Sequence, residues 1–107
     1  MFVAIYRWRL QPGLEQDFIA NWQRITTLAL AAGSGGSSLF KDSEGRWVAI
    51  ARWASREART SFFAQLAREG SDTVMRERAR EAVLESFPDE ELESAVDMWT
   101  SVPGPAP

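Results

Sequence analysis

Residues 45–55, GRWVAIARWAS, predict a β-strand of which both faces are mostly apolar. Val48 and Ile50 favour strand structure, and a turn that contains glycine precedes them. Because side chains alternate along a strand, the tryptophans and alanines of this stretch share one face, and Val48, Ile50 and Arg52 share the other. An antiparallel sheet with one face in water needs only one apolar face. The pattern therefore predicts that both faces of this strand are covered.

The segments around this strand show alternating strand and helix patterns. Residues 2–9 alternate like a strand, Pro12 and Gly13 end it, and apolar side chains then recur at the helical period up to Ala29. A short strand before Gly45 predicts an antiparallel hairpin with the quoted strand. The predicted strands lie in residues 2–9, 37–42, 45–55 and 92–99. The first predicted helix runs from after Gly13 to Gly33, and the second from after Ser55 to Gly70. The third follows either Ser71 or Asp72 and ends at about Ser86, before Pro88.

This order of elements, β-α-β-β-α-(α)-β, predicts an α+β fold of the ferredoxin-like type. Four strands form an antiparallel sheet with helices on one face. We expect residues 1–100 to form a single domain and residues 101–107 to form a disordered tail. The other face of the sheet is left bare, and a second copy of the chain is the most economical cover for an apolar face of that size. We therefore expect a homodimer in which two sheets pack face to face, a dimeric α+β barrel.

The alternation along the strands also indicates which face meets which neighbour. We expect the aromatic and alanine face to meet the helices and the valine and isoleucine face to meet the partner subunit, although the pattern permits the reverse. On the partner face, Arg7, Arg9 and Arg52 need acidic partners or positions near the rim. Asp97, on the predicted last strand, is an acceptable partner, or a base if its strand turns it towards the helices.

The residue types that are absent narrow the chemistry. The chain has no cysteine and no histidine, which excludes thiolate nucleophiles, zinc–sulfur sites, Ser-His-Asp triads and histidine-ligated haem. Its formal charge of −3 comes with no basic cluster, so we expect no nucleic-acid binding. No apolar run approaches the length of a membrane span or a signal peptide, and we expect a cytoplasmic protein without membrane contact.

Two stretches resemble a known family. The opening VAIYRWRLQPGLEQDFIANWQRI (residues 3–25) resembles the first strand and helix of antibiotic-biosynthesis-monooxygenase-like domains, and WVAIARWASREARTSFF (residues 47–63) resembles their third strand and the capped helix that follows. The resemblance extends over residues 2–99. It implies a dimeric α+β barrel with a small-molecule pocket between sheet and helices. It also implies, for members that are enzymes, oxidation of aromatic polyketides or quinols by dioxygen without metal or flavin; haem-degrading members use a histidine that this chain lacks.

Cofactor-free oxygenation needs an electron-rich substrate that loses a proton and then gives an electron to dioxygen. The protein must hold that substrate, shield it from water and stabilise its anion. Asn21 and Trp22 resemble the Asn and Trp that some enzymes of the family use, and we predict that they orient substrate while Tyr6 or Arg52 stabilises the anion. In the simpler interpretation, Asn21 bonds to a loop or to water and Trp22 fills the core.

Aromatic side chains on the predicted inner face supply walls for a flat pocket. We predict that Tyr6, Trp8, Trp53 and Phe62 bind a small hydrophobic aromatic ligand. The competing interpretation is that the tryptophans fill the core while the alanines between them let the helices approach. Two functions follow, neither with a metal or other cofactor: a monooxygenase-like enzyme acting on a small aromatic or quinol, or a non-catalytic binding or interaction module of the same dimeric fold. The chain has no unambiguous general base that would separate them.

Overall fold

The structure is a computed structural model that describes residues 1–70 and 72–99. Five strands and three helices lie in these residues. The strands are β1 (Phe2–Leu10), β2 (Ser37–Lys41), β3 (Trp47–Trp53), β4 (Val83–Ser86) and β5 (Glu90–Glu93), and the helices are α1 (Glu15–Ala31), α2 (Arg56–Glu69) and α3 (Thr73–Glu81). The predicted tail at 101–107 lies outside the described residues.

All strand pairs are antiparallel, and the sheet has the order β2-β3-β1-β4 with β5 also paired to β1. The predicted hairpin is present as the β2–β3 pair. β4 pairs with one end of β1, from Trp8 to Leu10, and β5 pairs with the other end, from Phe2 to Ile5. The two short strands together fill the place of a fourth strand. The predicted α+β, ferredoxin-like fold is confirmed.

The predicted last strand at 92–99 and the predicted end of the third helix near Ser86 are wrong. The helix ends at Glu81, because the next residues pair with β1: Leu10 lies opposite Val83, and Gln11 donates its backbone N–H to the Ala82 carbonyl at 2.8 Å. Helical periodicity continued beyond Glu81, but pairing with an open sheet edge outweighed it.

The β4–β5 edge is interrupted at Pro88, which has no N–H to give to a neighbouring strand. Between the pairs Trp8–Ser86 and Ile5–Glu90, β1 has two residues while the facing segment has three. One residue is therefore extra on that edge, as in a β-bulge.

The helix starts agree with the sequence signals. The Ser55 side chain accepts the Ala58 backbone N–H at 3.1 Å, and the Asp72 carboxylate accepts the Met75 N–H at 3.1 Å. These bonds satisfy donors that a first helical turn leaves free. Ser71, the alternative cap, lies outside the described residues.

The inner face of the sheet carries the core. Phe2, Ala4, Trp53 and Ala29 of α1 form one cluster, each 6% exposed or less. A second cluster contains Leu10, Phe18 and Ala82. The aromatic and alanine face therefore meets the helices, as predicted. No helix in the described part of the chain has the length and apolar character needed to cross a membrane.

The opposite side of the sheet, called the open face below, is not covered by any described residues of a helix. Phe40 is 50% exposed and Leu92 49% exposed. Strand pairing brings the outward side chains into adjacent rows. The apolar residues of the open face are Val3, Ile5, Phe40, Val48, Ile50 and Leu92.

The arginines of the open face do not pair with Asp97. Arg7 forms an ion pair with Glu90, and Arg9 lies 3.8 Å from Glu85. Asp97 follows the end of β5, and its carboxylate accepts the Trp99 backbone N–H at 3.1 Å. The predicted pairing role of Asp97 is therefore wrong, because the strand that was to carry it ends at Glu93.

Candidate functional site

A cavity of about 260 Å³ lies between α1 and the inner face of the sheet. Residues of β1, α1, β3 and α2 line it, together with the loop before β2. Among the described residues, no acidic or basic side chain lines it. Its aromatic and polar lining residues are Tyr6, Trp8, Phe18, Asn21, Trp22, Thr26, Ser34, Ser37, Trp53 and Phe63.

The β1 wall of the cavity is a stack of aromatic rings. Tyr6 and Trp8 both point to the inner face, and their rings stack at 5.9 Å with an interplanar angle of 18°. The Phe18 ring on α1 and the Trp8 ring meet edge to face, with centroids 4.8 Å apart and an interplanar angle of 62°. Ala51 on β3 also lines the space. Its single methyl group leaves room for a ligand where a larger side chain would fill the core.

Asn21 is the one buried polar residue among the described residues, at 9% exposure. Its Oδ1 accepts a hydrogen bond from Arg24 Nη2 at 2.8 Å. That bond fixes the amide and leaves its NH₂ group to donate, because we find no acceptor for it in the described residues. Trp22 is half-buried beside it and lines the same cavity. The structure thus brings the predicted pair together at one wall.

Trp53 closes the β3 side of the cavity. It is 4% exposed, and its indole Nε1–H is buried without an acceptor in the described part of the chain. A buried donor without a partner costs free energy of about 1–3 kcal/mol. The indole nitrogen itself has almost no accessible surface, so Trp53 contributes the apolar part of its ring to the cavity wall.

Of the two phenylalanines on α2, the structure places Phe63 along the cavity. Phe62, the residue that we predicted from the sequence, packs against Trp53 with ring centroids 5.4 Å apart. It lines a separate groove between α1 and α2 and not the cavity. Consecutive positions on a helix differ by about 100° in direction, so an error of about that size in the assumed rotation of α2 exchanges the two.

Arg52 does not reach this cavity. It precedes Trp53 on β3, and alternation turns it to the open face. Its Nη2 donates to the Gly35 carbonyl at 2.8 Å, and its guanidinium lies over the Trp99 ring at 5.2 Å. It lines a second cavity of about 360 Å³ beside Phe40. The position of Arg52 therefore gives no support to its predicted role in anion stabilisation.

Arg59 is the polar neighbour of the cavity that the sequence analysis missed. Its Nη1 donates to the Tyr6 hydroxyl at 3.3 Å, and its Nη2 pairs with Glu91 at 3.0 Å. Burial raises the pKa of the Tyr6 phenol above its ordinary value, and Arg59 acts against burial by lowering it. The charges of Asp89 and Glu91 add to the rise.

A signal for Arg59 was present in the sequence. Arg56 and Arg59 are three residues apart, on one side of α2, and residues 89–93 read DEELE. Both guanidinium groups lie over the Phe2 ring, at 5.0 and 5.3 Å, and both pair with Glu91. If the arginines at the start of α2 had been matched with this acidic segment, the sequence would have predicted that their side chains lie towards the inner face of the sheet.

Within residues 1–70 and 72–99, no three His, Cys, Asp or Glu side chains lie close enough together to hold a metal ion. The polar groups that meet the cavity are donors or hydroxyls rather than carboxylates. Such a set can orient a ligand oxygen and stabilise negative charge on it.

Solved structures with the same fold cover nearly the whole chain. SnoaB, a cofactor-independent oxygenase from Streptomyces nogalater, is 14% identical over 91% of this chain and 95% of its own, with a TM-score of 0.68. Rv0793 from Mycobacterium tuberculosis is 17% identical over 90% and 96%, with a TM-score of 0.68. A dimeric ferredoxin-like protein from an uncultured marine organism is 14% identical over 94% and 92%, with a TM-score of 0.70. At these identities the matches establish the fold alone.

No curated protein matches the chain in sequence. The sequence model of the antibiotic biosynthesis monooxygenase family, by contrast, matches residues 1–68. The matched part includes β1, α1, the β2–β3 hairpin and most of α2, which together form the walls of the cavity. With 68 of its 107 residues matched, the chain belongs to the antibiotic biosynthesis monooxygenase family.

Proposed function

We propose that the protein is a cofactor-independent monooxygenase that acts on a small planar aromatic or quinol substrate with dioxygen. The observation that carries the proposal is the cavity itself: aromatic rings wall it, the Asn21 amide has an NH₂ group left to donate to a ligand there, and no charged side chain lines it in the described residues. The family and the fold shared with SnoaB support the same reaction class.

The size of the cavity limits the substrate. Apolar cavities of about 150 Å³ in proteins bind benzene, so about 260 Å³ suits roughly two fused rings. The stacked Tyr6 and Trp8 rings and the edge of Phe18 favour a flat ligand over a branched one. A naphthalene-sized hydroquinone is the simplest substrate of this description.

The proposed reaction gives each residue a limited task. Asn21 and Trp22 orient the ring, and the aromatic walls exclude water from the substrate anion. The substrate gives its hydroxyl proton to water as it binds. Its anion gives an electron to dioxygen, and the resulting radicals combine at a ring carbon. The peroxide anion takes a proton back from water and then loses a water molecule. One oxygen atom is thus left on the substrate and the other leaves as water. Donors fixed in a dry site stabilise the anion more than water would.

Oxygen uptake with 1,4-dihydroxynaphthalene tests this proposal, with protein-free autoxidation subtracted. We expect the unmodified protein to accelerate uptake and to place one atom of ¹⁸O₂ in the product, measured by mass spectrometry. Asn21→Ala and Trp22→Phe should each lower the rate by about 100-fold, the loss expected when a substrate is misplaced by about 1 Å. Gln23→Ala, on the exposed side of α1, is the matched control. Equal rates in all four proteins would refute the assignment.

The same fold also suits a second function, a non-catalytic module that binds a hydrophobic aromatic ligand. One observation favours it: among the described residues, no carboxylate or other strong base lines the cavity. Ligand-dependent change in tryptophan fluorescence without oxygen uptake would favour this function over the first.

We further propose that the protein is a homodimer joined through its open face. The exposed Phe40 and Leu92 and the aliphatic rows between them form an apolar surface that one copy leaves in water. Ion pairs lie at its edge, as expected for the rim of an interface. The dimeric ferredoxin-like neighbour supports this assembly. The single domain at residues 1–100 and the cytoplasmic location stay predictions.

A further inference from the structure

Tyr6 lies where the uncharged cavity meets a charged cluster. The cluster consists of Arg56, Arg59 and Glu91: both arginines, on α2, pair with the one carboxylate on β5. The Arg59 side chain is 17% exposed, so its charge is only partly screened by water. Tyr6 lines the cavity and accepts a hydrogen bond from Arg59. The phenol thus connects the cluster to the ligand space.

The direction of that hydrogen bond determines what Tyr6 can offer a ligand. Arg59 can only donate, so the Tyr6 oxygen is the acceptor and its own O–H hydrogen is free to be donated elsewhere. In the described residues we find no acceptor for that hydrogen. Donation from a cation to the phenol oxygen also polarises the O–H bond, which makes it a stronger donor.

Two donors therefore line one apolar space: the Tyr6 hydroxyl and the Asn21 amide. Their complement is a ligand oxygen that accepts hydrogen bonds and carries negative charge. The charges of Asp89 and Glu91 act on Tyr6 in opposition to that of Arg59. No carboxylate lines the cavity itself in the described residues, so none there takes a proton from a neutral ligand. A ligand that is already ionised in water satisfies both conditions.

We propose that Tyr6, polarised by Arg59, makes the cavity selective for planar aromatic ligands that bind as an ionised ring hydroxyl. Tyr6 is the residue that touches the ligand oxygen, and Arg59 is a positioning residue that acts through it. The inference rests on the proposed function only for the location of the ligand, since it concerns binding and not turnover.

A pair of probes isolates the charge of the ligand. 2-Hydroxy-1,4-naphthoquinone is ionised at neutral pH, whereas 2-methoxy-1,4-naphthoquinone has the same rings and cannot ionise. Isothermal titration calorimetry measures the Kd of each compound. We expect the unmodified protein to bind the hydroxy compound about tenfold or more tightly than the methoxy compound, because a hydrogen bond to a charged group contributes at least that much.

Three variants and a control test the residues. Tyr6→Phe and Arg59→Gln should each lower the preference to about twofold or less by weakening binding of the hydroxy compound alone, and Arg59→Lys should restore part of it. Arg68→Gln removes the same charge from the exposed end of α2 and should change nothing. A merely structural role of Arg59 would weaken both compounds equally.

The outcomes separate this inference from the proposed activity. Lack of preference in the unmodified protein, binding of neither compound, or an unchanged preference in Tyr6→Phe would each overturn it. Selective binding without any oxygen uptake would overturn only the monooxygenase assignment. Oxygen uptake without selective binding would overturn only the role of Tyr6 and Arg59.

Discussion

The two faces of the sheet use different side chains over the same strands. On the inner face, Phe2, Ala4, Ala49 and Trp53 are each 4% exposed or less, and large rings alternate with methyl groups. On the open face, β-branched and other aliphatic side chains of similar size lie side by side and stay partly exposed. Rings next to alanines leave a ligand-sized space under the helices, whereas the open face leaves its aliphatic side chains partly exposed.

This difference indicates how one short chain makes two kinds of surface. A concave apolar space with few donors suits a small ligand. An apolar surface with Arg7–Glu90 and Arg9–Glu85 at its edge suits another protein surface. Changes made at neighbouring positions of one strand should therefore act on different properties, and the pairs Phe2 and Val3, and Glu90 and Glu91, test this.

Phe2→Ala and Val3→Ala compare adjacent residues on opposite faces of β1. Phe2 is 1% exposed in the core and lies under Arg56 and Arg59, so its loss should lower the free energy of unfolding by about 3–5 kcal/mol. Val3→Ala should cost about 1 kcal/mol, because Val3 is only partly buried. Urea unfolding at one fixed protein concentration measures both. Equal losses would contradict the assignment of the core to the inner face.

Ile50→Asp tests the open face as a dimer interface. A carboxylate placed in the centre of an apolar interface has no partner, and in a twofold dimer it is introduced twice, so Kd of the dimer should rise by at least about 100-fold. Sedimentation equilibrium measures the mass. Gln23→Glu adds a charge to the exposed side of α1 and should leave the dimer intact. If the unmodified protein is a monomer, the open face needs another partner.

Local patterns predicted most of the fold and part of the site. Alternation of side chains and the Ser55 cap gave β1, the hairpin and the start of α2, because these features depend on neighbouring residues. The end of the third helix was wrong because it depends on a free edge of β1, which lies more than 70 residues away in the chain. A contact between such distant residues produces no periodic pattern of apolar side chains in the sequence around Val83.

The site follows the same rule. The placement of Asn21 and Trp22 on the cavity follows from the apolar stripe of α1. Phe63 and Arg59 were missed because their positions depend on how far α2 is rotated about its axis and on the acidic strand that faces it. Alternation along β3 places Arg52 and Trp53 on opposite faces of the sheet, so the sequence alone indicates that Arg52 does not reach the cavity.

Ala51→Leu tests whether the space beside the alanines is used. The larger side chain would fill part of the cavity, and we expect it to weaken binding of 2-hydroxy-1,4-naphthoquinone by about tenfold, as loss of one or two methylene-sized spaces does. The free energy of unfolding should change by less than about 1.5 kcal/mol, since the cavity has room for the added atoms. Ala64→Leu on the exposed side of α2 is the control. Unchanged binding would place the ligand elsewhere.

Glu91→Gln and Glu90→Gln compare neighbouring carboxylates that face opposite sides of β5, and they should have the smallest effects. Hydrogen bonding from Arg56, with the charges of Arg56 and Arg59, holds the pKa of Glu91 below its ordinary value of 4.5. A carboxyl whose pKa is lowered by folding stabilises the folded state above its unfolded pKa, and this stabilisation is lost as the pH falls through the folded value.

The stability of Glu91→Gln should therefore lie below that of the unmodified protein at pH 7, and the two should converge as the pH is lowered below about 4.5. Glu90 has one arginine partner and is 52% exposed, against 33% for Glu91, so Glu90→Gln should show a smaller difference at pH 7. Urea midpoints measured from pH 3 to pH 7 give both differences. A larger effect of Glu90→Gln would mean that the charged edge of the open face, and not the cluster beside Tyr6, contributes the electrostatic stability of this edge.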